Sequence, residues 1–360
     1  MKLHSQENRS LFLFILVFIA IVIAIAITMT TSFALAVPFT SPASSGNPGE
    51  VIVYTSLDRV FSEPVFNLFE QRTGIRVKAL YDVEATKTTG LVNRLIAEAK
   101  HPRADVFWNS EVGRTIQLAG FGILTPYESP YWKNVPNGFK DPEFLWTGLA
   151  ARARVLIYNR KMLSPNQIPE SIMDLLKPEW KGRVAIGYPL FGTTATHVAA
   201  LYACLGKNGA QKYLRALSDN EIRVVDGNAV TRDMVVAGEI PLAFTDTDDA
   251  NVAIQRGADI GIIYPDRNGI GTLLIPNTVS MIRNGPNPEQ ARKLIDFILS
   301  SEVEKMLAFG ESAQMPLKEG VPRPEHIPPF SAIRAMKVDY ENLSRYLEES
   351  AIFCRDLFIR

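Results

Sequence analysis

The densest group of oxygen donors in this 360-residue chain is Thr245-Asp246-Thr247-Asp248-Asp249, which follows directly on the apolar run Leu242-Ala243-Phe244. Four other groups sit in the same way at the ends of apolar runs or the starts of helical stretches. Ser56 and Asp58 follow Val51-Ile52-Val53-Tyr54, and Asn109-Ser110-Glu111 follows Val106-Phe107-Trp108. Gly192-Thr193-Thr194 and Asp226-Gly227-Asn228 each precede a segment with helical spacing. Two carboxylates about 4 Å apart repel by roughly 4 kcal/mol at an effective dielectric near 20, so a pair facing one space needs a cation between them. Oxygen-only donors suit a hard ion such as Ca²⁺, Mn²⁺ or Fe³⁺, or an ammonium group. Helix starts offer unfilled N–H groups that favour an anion by about 0.3–1 kcal/mol each. A metal–anion pair or a zwitterion such as an aminophosphonate would fill both kinds of subsite. Each group alone also meets the ordinary need for N-caps, but five of them at equivalent positions weigh toward one shared site.

Signatures of catalysis are missing from the sequence. There is no G-x-S-x-G, no H-E-x-x-H and no Walker loop, and Gly269-Ile270-Gly271 lacks the third glycine of a dinucleotide fingerprint. Past residue 36 the histidines are His101, His197 and His326, too scattered for a His-rich metal site. His197, on a helical stretch, reads as a packing residue. The expectation is a protein that performs no chemistry and holds no resident cofactor, with a metal ion entering only as a carried ligand. Lys and Arg total 38, as do Asp and Glu; Lys2, Arg9 and Glu7 fall in the first 36 residues, leaving one net negative charge on the rest. A near-neutral body without a basic stripe excludes nucleic acid as the expected partner.

Positioning these groups requires a framework, and the chain supplies one in alternation. Lys2 and Arg9 precede an uncharged apolar run over 11–27, and Ala34-Leu35-Ala36 offers a peptidase its small residues. Residues 1–36 therefore read as a signal peptide or membrane anchor with the body exported to the periplasm, and 37–49 as a linker. Strand and helix patterns then alternate: a strand at 51–54, a helix capped by Ser62 and stopped by Gly74, a strand at 75–81, a helix over 91–99, a strand at 104–108 and a helix over 111–119. The alternation resumes with strands at 154–158, 184–187, 221–225 and 241–245, and helices over 195–205 and 230–237. Asn287-Pro288 opens another helix, residues 301–304 read as a capping box, and an amphipathic helix is expected over 338–347. Such alternation predicts an α/β protein with mostly parallel sheet. Cys204 and Cys354 are the two cysteines; the sequence leaves a bridge between them open. Tyr54, Trp108 and Tyr188 sit near strand ends as candidate cleft aromatics, and residues 86–89 (TKTT) as further anion donors or surface caps.

Specific motifs carry a family resemblance over roughly residues 50–320. Residues 51–56 (VIVYTS), 69–77 (FEQRTGIRV), 104–107 (ADVF), 151–155 (ARARV), 178–182 (PEWKG), 238–241 (GEIP) and 293–300 (KLIDFILS) keep the order and spacing of bacterial extracellular solute-binding proteins. Among these the chain most resembles ferric-iron-binding proteins of ABC importers. The resemblance implies the class II periplasmic binding protein fold: two lobes, each with a central mixed but mostly parallel sheet, joined by two hinge crossings near residues 152–155 and 271–276. It divides the chain into lobe 1 at 50–152, lobe 2 at 153–271, a return to lobe 1 at 272–320, and a helix-bearing tail at 321–360. It implies a monomer that delivers a small solute to an importer permease and its ATPase. The ligand set carries over in part. Where the family has two adjacent tyrosines for iron, this chain has Asp248 and Asp249. Asp58 stands where some members have a histidine, and the acidic ligand falls at Ser110 or Glu111. The anion-holding residues match better, at Gly192, Thr193, Thr194 and Asn228, with Arg152 and Arg154 near the hinge; Ser56 and Asp246 join the expected ligand-binding set from their strand-end positions. Ferric iron or another hard metal bound with an anion is the first ligand expected, and a phosphonate or other small organic anion or zwitterion the alternative.

Overall fold

The computed structural model describes residues 49–82 and 88–358. The expected signal segment, the linker up to residue 48, Thr86 and Lys87 lie outside these residues. Among the described residues no helix is long and apolar enough to cross a membrane.

Short β-rich runs build a sheet in the order β2 (Arg76–Tyr81), β1 (Glu50–Thr55), β3 (Val106–Asn109), β10 (Leu274–Ile282), β5 (Thr147–Asn159), β8 (Leu242–Asp246), β6 (Val184–Gly187) and β7 (Arg223–Val225), with the two-residue β4 (Leu124–Thr125) also pairing with β10. Three parallel strands form one end: β1, β2 and β3. Three more form the other: β6, β7 and β8. Between them lie two long strands, β5 and β10, antiparallel to each other and to their neighbours. Strand β5 changes partner midway: residues 147–153 pair with β10, and residues 154–159 pair with β8 and with β9 (Ile260–Ile263). The β5–β10 register shifts at Pro276/Asn277, and Ala150 takes a φ of 33° opposite the shift. Asn277 holds this irregular stretch by donating to the Ala150 carbonyl, and Glu304 accepts the Ala150 N–H at 2.9 Å.

Helices cover both faces because their apolar residues recur on one side. Helix α1 (Arg59–Thr73) buries Val65, Phe66 and Phe69 against β1 and β3, and Gly74 ends it with a left-handed φ of 70°. It begins three residues before Ser62, whose hydroxyl bonds back to the Asp58 carbonyl at 3.0 Å instead of capping the helix. Helix α2 (Thr89–Ala97) follows β2, and α3 (Gly113–Gly120) follows β3. In the other half, α4 (Gly192–Asp219) consists of two helical pieces that meet at Gly206, whose non-helical φ of 69° and ψ of 161° end the first piece at the expected residue 205. Helices α5 (Asn228–Ala237) and α6 (Thr247–Gln255) follow β7 and β8. Helices α7 (Pro288–Ile298) and α8 (Ser301–Phe309) complete the first half; the cap of α8 is Ser300, which accepts from Val303 N–H, one residue ahead of the expected box. The last helix, α9 (Tyr340–Phe358), extends eleven residues beyond the expected 347 and buries Leu343, Leu347 and Cys354 in the core around α4. Both cysteines are free thiols, so the bridge left open by the sequence is absent: Cys204 bonds the Lys337 carbonyl and Cys354 is buried.

Candidate ligand cleft

Parallel order places the C-terminal ends of β6, β7 and β8 side by side, and each feeds a helix whose first turn faces the same space. The starts of α4 at Gly192, α5 at Asn228 and α6 at Thr247 therefore converge, and in none does a side chain of the cap residue take up the first N–H groups. Close approach is enforced at Gly187, where a Cβ would come to 3.0 Å from Asn228 Oδ1 and 3.2 Å from Thr194 Oγ1.

A buried polar network fills the floor. Asp246 is 1% exposed, and it accepts from Thr193 Oγ1 at 2.6 Å, Arg154 Nη1 at 2.8 Å and Asn228 Nδ2 at 3.0 Å. Burial pushes its carboxyl up, but the Arg154 and Arg152 guanidiniums and the Thr193 hydroxyl outweigh that and hold it below the usual carboxylate range. Arg154 is fully buried and lies 4.6 Å over the Phe244 ring, which also stacks against His197 at 4.8 Å. Desolvation, with the nearby Arg154 charge, lowers the His197 imidazole to about 3, so it is neutral at physiological pH and serves packing. Arg152 bridges outward: Nη1 reaches Asp248 at 3.3 Å and Asp246 at 3.4 Å, and Nη2 donates to the Ser110 carbonyl. Its Nε–H, also buried, has no acceptor among the described residues. Asp249 accepts from Thr245 Oγ1 at 3.1 Å and Arg232 Nη1 at 3.2 Å. Asp246, Asp248 and Asp249 each offer an oxygen within 4.8 Å of the others.

Above this floor opens a cavity of about 390 Å³. Asp58, Arg152, Gly192, Thr193, Thr194, Asn228, Asp246, Asp248 and Asp249 all line it. Ser56, Arg154 and Glu111 do not. Ser56 is buried and bonds Asn109 Oδ1 at 2.6 Å, while Arg154 acts from beneath, through Asp246. Glu111 is fully buried; it accepts from Gly113 N–H at 2.6 Å, Arg114 N–H at 2.9 Å and Thr196 Oγ1 at 2.6 Å, so it caps α3 and ties that helix to α4. Of the aromatic candidates Tyr188 lines the cavity. Tyr54 instead bonds Glu98 at 2.9 Å, and Trp108 packs edge-on against Phe66 in the core. Sequence reasoning passed over Arg232, Phe191, Val60, Phe61, Arg256 and Glu311, which also line it. Arg232, one turn beyond Asn228 on α5, and Phe191, immediately before Gly192, were within reach of helical-spacing arguments. Glu311 and the α1 residues come from distant parts of the chain.

This fold and this cleft define a two-lobed periplasmic binding protein. The bacterial extracellular solute-binding protein family profile matches residues 112–340, and the chain belongs to that family. It is 26% identical over 310 residues to the Iron uptake protein A1 of Synechocystis, covering 83% of this chain and 84% of that protein. It is also 26% identical over 278 residues to a putative 2-aminoethylphosphonate-binding periplasmic protein of Salmonella typhimurium, covering 75% and 78%. The crystal structure of iron-bound HitA from Pseudomonas aeruginosa superposes with a TM-score of 0.78 at 24% identity, covering 87% of this chain and all of that one.

Proposed function

We propose that the chain is the substrate-binding component of an ABC importer, capturing outside the cytoplasmic membrane a solute that presents both a cationic centre and an anionic group. It works as a monomer, released after Ala36 or held by an uncleaved N-terminal segment, and passes its solute unchanged to a permease driven by an ATPase. The lobes divide at 50–152, 153–271 and 272–320, a division supported by the change of partner in β5 between residues 153 and 154.

The observation that carries the reading is the charge arrangement of the cavity. Six carboxylates line it, Asp58, Asp226, Asp246, Asp248, Asp249 and Glu311, against the guanidiniums of Arg152, Arg232 and Arg256. A net negative wall favours a ligand with positive charge and repels a bare polyanion. At the same wall three helix starts, whose first N–H groups no cap side chain takes up, favour an anionic group. Ferric iron or another hard metal ion at Asp248 and Asp249, carried together with an anion at Gly192, Thr193 and Asn228, satisfies both requirements; the names of the iron-related relatives support it. A zwitterion of the aminophosphonate class is the second reading. It is favoured by one specific feature: Asp246, Asp248 and Asp249 already meet guanidiniums, and among the described residues Tyr188 is the single tyrosine lining the cavity with them.

Elemental analysis of the protein as purified, with melting curves before and after chelation, separates the two. The metal reading expects stoichiometric metal and a melting temperature that falls on chelation and recovers with Fe³⁺ plus anion, following the mass-action dependence on free ligand. Metal-free protein stabilised by 2-aminoethylphosphonate would overturn it in favour of the zwitterion.

A further inference from the structure

We infer that the solute carries an apolar carbon body between its charged ends, and that this body lies on the Tyr188–Phe191 face of the cavity. The inference deepens the cleft-binding reading above and rests on it. Tyr188 and Phe191 stack with ring centroids 5.5 Å apart and planes 13° from parallel, both half-buried and both lining the cavity. Phe191 is the cap residue of α4, so its ring stands next to the Gly192-Thr193 anion subsite. From the opposite lobe the first turn of α1 presents Val60 and Phe61 to the same space, Val60 with 60% of its surface exposed. Val252 of α6 adds a fifth apolar wall residue.

A single exposed valine needs no explanation, but five apolar side chains from both lobes converging on one polar cavity do. A metal ion with an inorganic anion has only oxygen surface to offer them, and closing the lobes on it would trap apolar surface against polar groups. A ligand with a methylene or aromatic body instead removes that surface from water while its ends reach the carboxylates and the helix starts. Two sources can supply this chemistry: a free organic zwitterion, or an organic acid that accompanies a metal ion.

Calorimetric titration of the full chain tests it with 2-aminoethylphosphonate, 4-aminobenzylphosphonate, inorganic phosphate, and ferric ion supplied with either phosphate or citrate. The expected result is that a carbon-bodied probe binds at least about tenfold more tightly than its inorganic counterpart, with a more negative heat-capacity change. Binding by the phosphonates points to the free zwitterion, and binding confined to ferric citrate to the metal-accompanied acid. Phe191→Ala and the bulk-preserving Tyr188→Leu should each weaken the carbon-bodied probes by about tenfold and leave phosphate within about twofold. Phosphate or ferric phosphate binding as tightly as every carbon-bodied probe overturns the inference and leaves the cleft reading standing, as does an equal loss for all probes in both variants. No binding by any probe overturns both.

Discussion

The two walls of the cleft are built unequally. The wall beyond β5 contributes three helix starts, the Asp246 network and most of the lining; the wall on the α1 side contributes Asp58, Val60, Phe61, Ser110 and Glu311. One lobe is thus a preorganised polar receptor, whose side chains are fixed by hydrogen bonds before any solute arrives. The other is a cover, with three polar residues, the half-buried Phe61 and the exposed Val60. Preorganisation lowers the cost of ordering side chains on binding, so affinity should reside mainly in the receptor lobe, while the cover lobe governs closure.

The sharpest break in this comparison is Arg154→Ala. It removes the fully buried partner of Asp246 and leaves a buried carboxylate short of its strongest donor, at a cost of about 3–5 kcal/mol. Urea unfolding should show that loss; a change below about 1 kcal/mol would mean the receptor lobe does not depend on its polar floor. Asp248→Asn comes next. It keeps shape and removes charge at the cavity wall, and should weaken binding of the cationic part about 30-fold while shifting stability little.

Acid provides a graded test of the same lobe. His197 is depressed to about 3, so near pH 6.5 the unfolded chain takes a proton that the folded one refuses. Stability should therefore fall as pH drops from about 6.5 toward 3, and the depressed Asp246 adds a further loss below about 4. Urea midpoints at pH 7, 5.5 and 4.5 should decline in the parent chain and decline less in His197→Phe; a flat parent series would contradict the buried neutral imidazole. The smallest effect belongs to the cover. Val60→Ser, at an exposed position, should leave stability within about 0.5 kcal/mol and change solute affinity only a few-fold.

How far the sequence reveals this arrangement depends on whether a signal is local. Helix starts after short apolar runs are local, so Thr193, Asn228 and Asp248 could be expected near one sheet edge, and they do line one cavity. Strand β5 was legible only over 154–158, because its first half contains Thr147, Gly148 and Arg152 and lacks an apolar pattern. The buried arginines make sense only once Asp246, ninety-two residues beyond Arg154, is seen beside them. Glu111 illustrates the same limit. The family resemblance makes its carboxylate a ligand, yet its partner Thr196 lies eighty-five residues away on another helix. Chain order likewise gives no warning that Val60 and Tyr188 share a cavity.

Native mass spectrometry of the freshly purified chain beside an Arg152→Ala/Asp248→Ala double variant bears most directly on the claim that this cavity holds the solute. The expected result is one small molecule or metal–anion complex per parent chain, removed by extensive dialysis, and none on the folded variant. An equal co-purified mass on both proteins would contradict it.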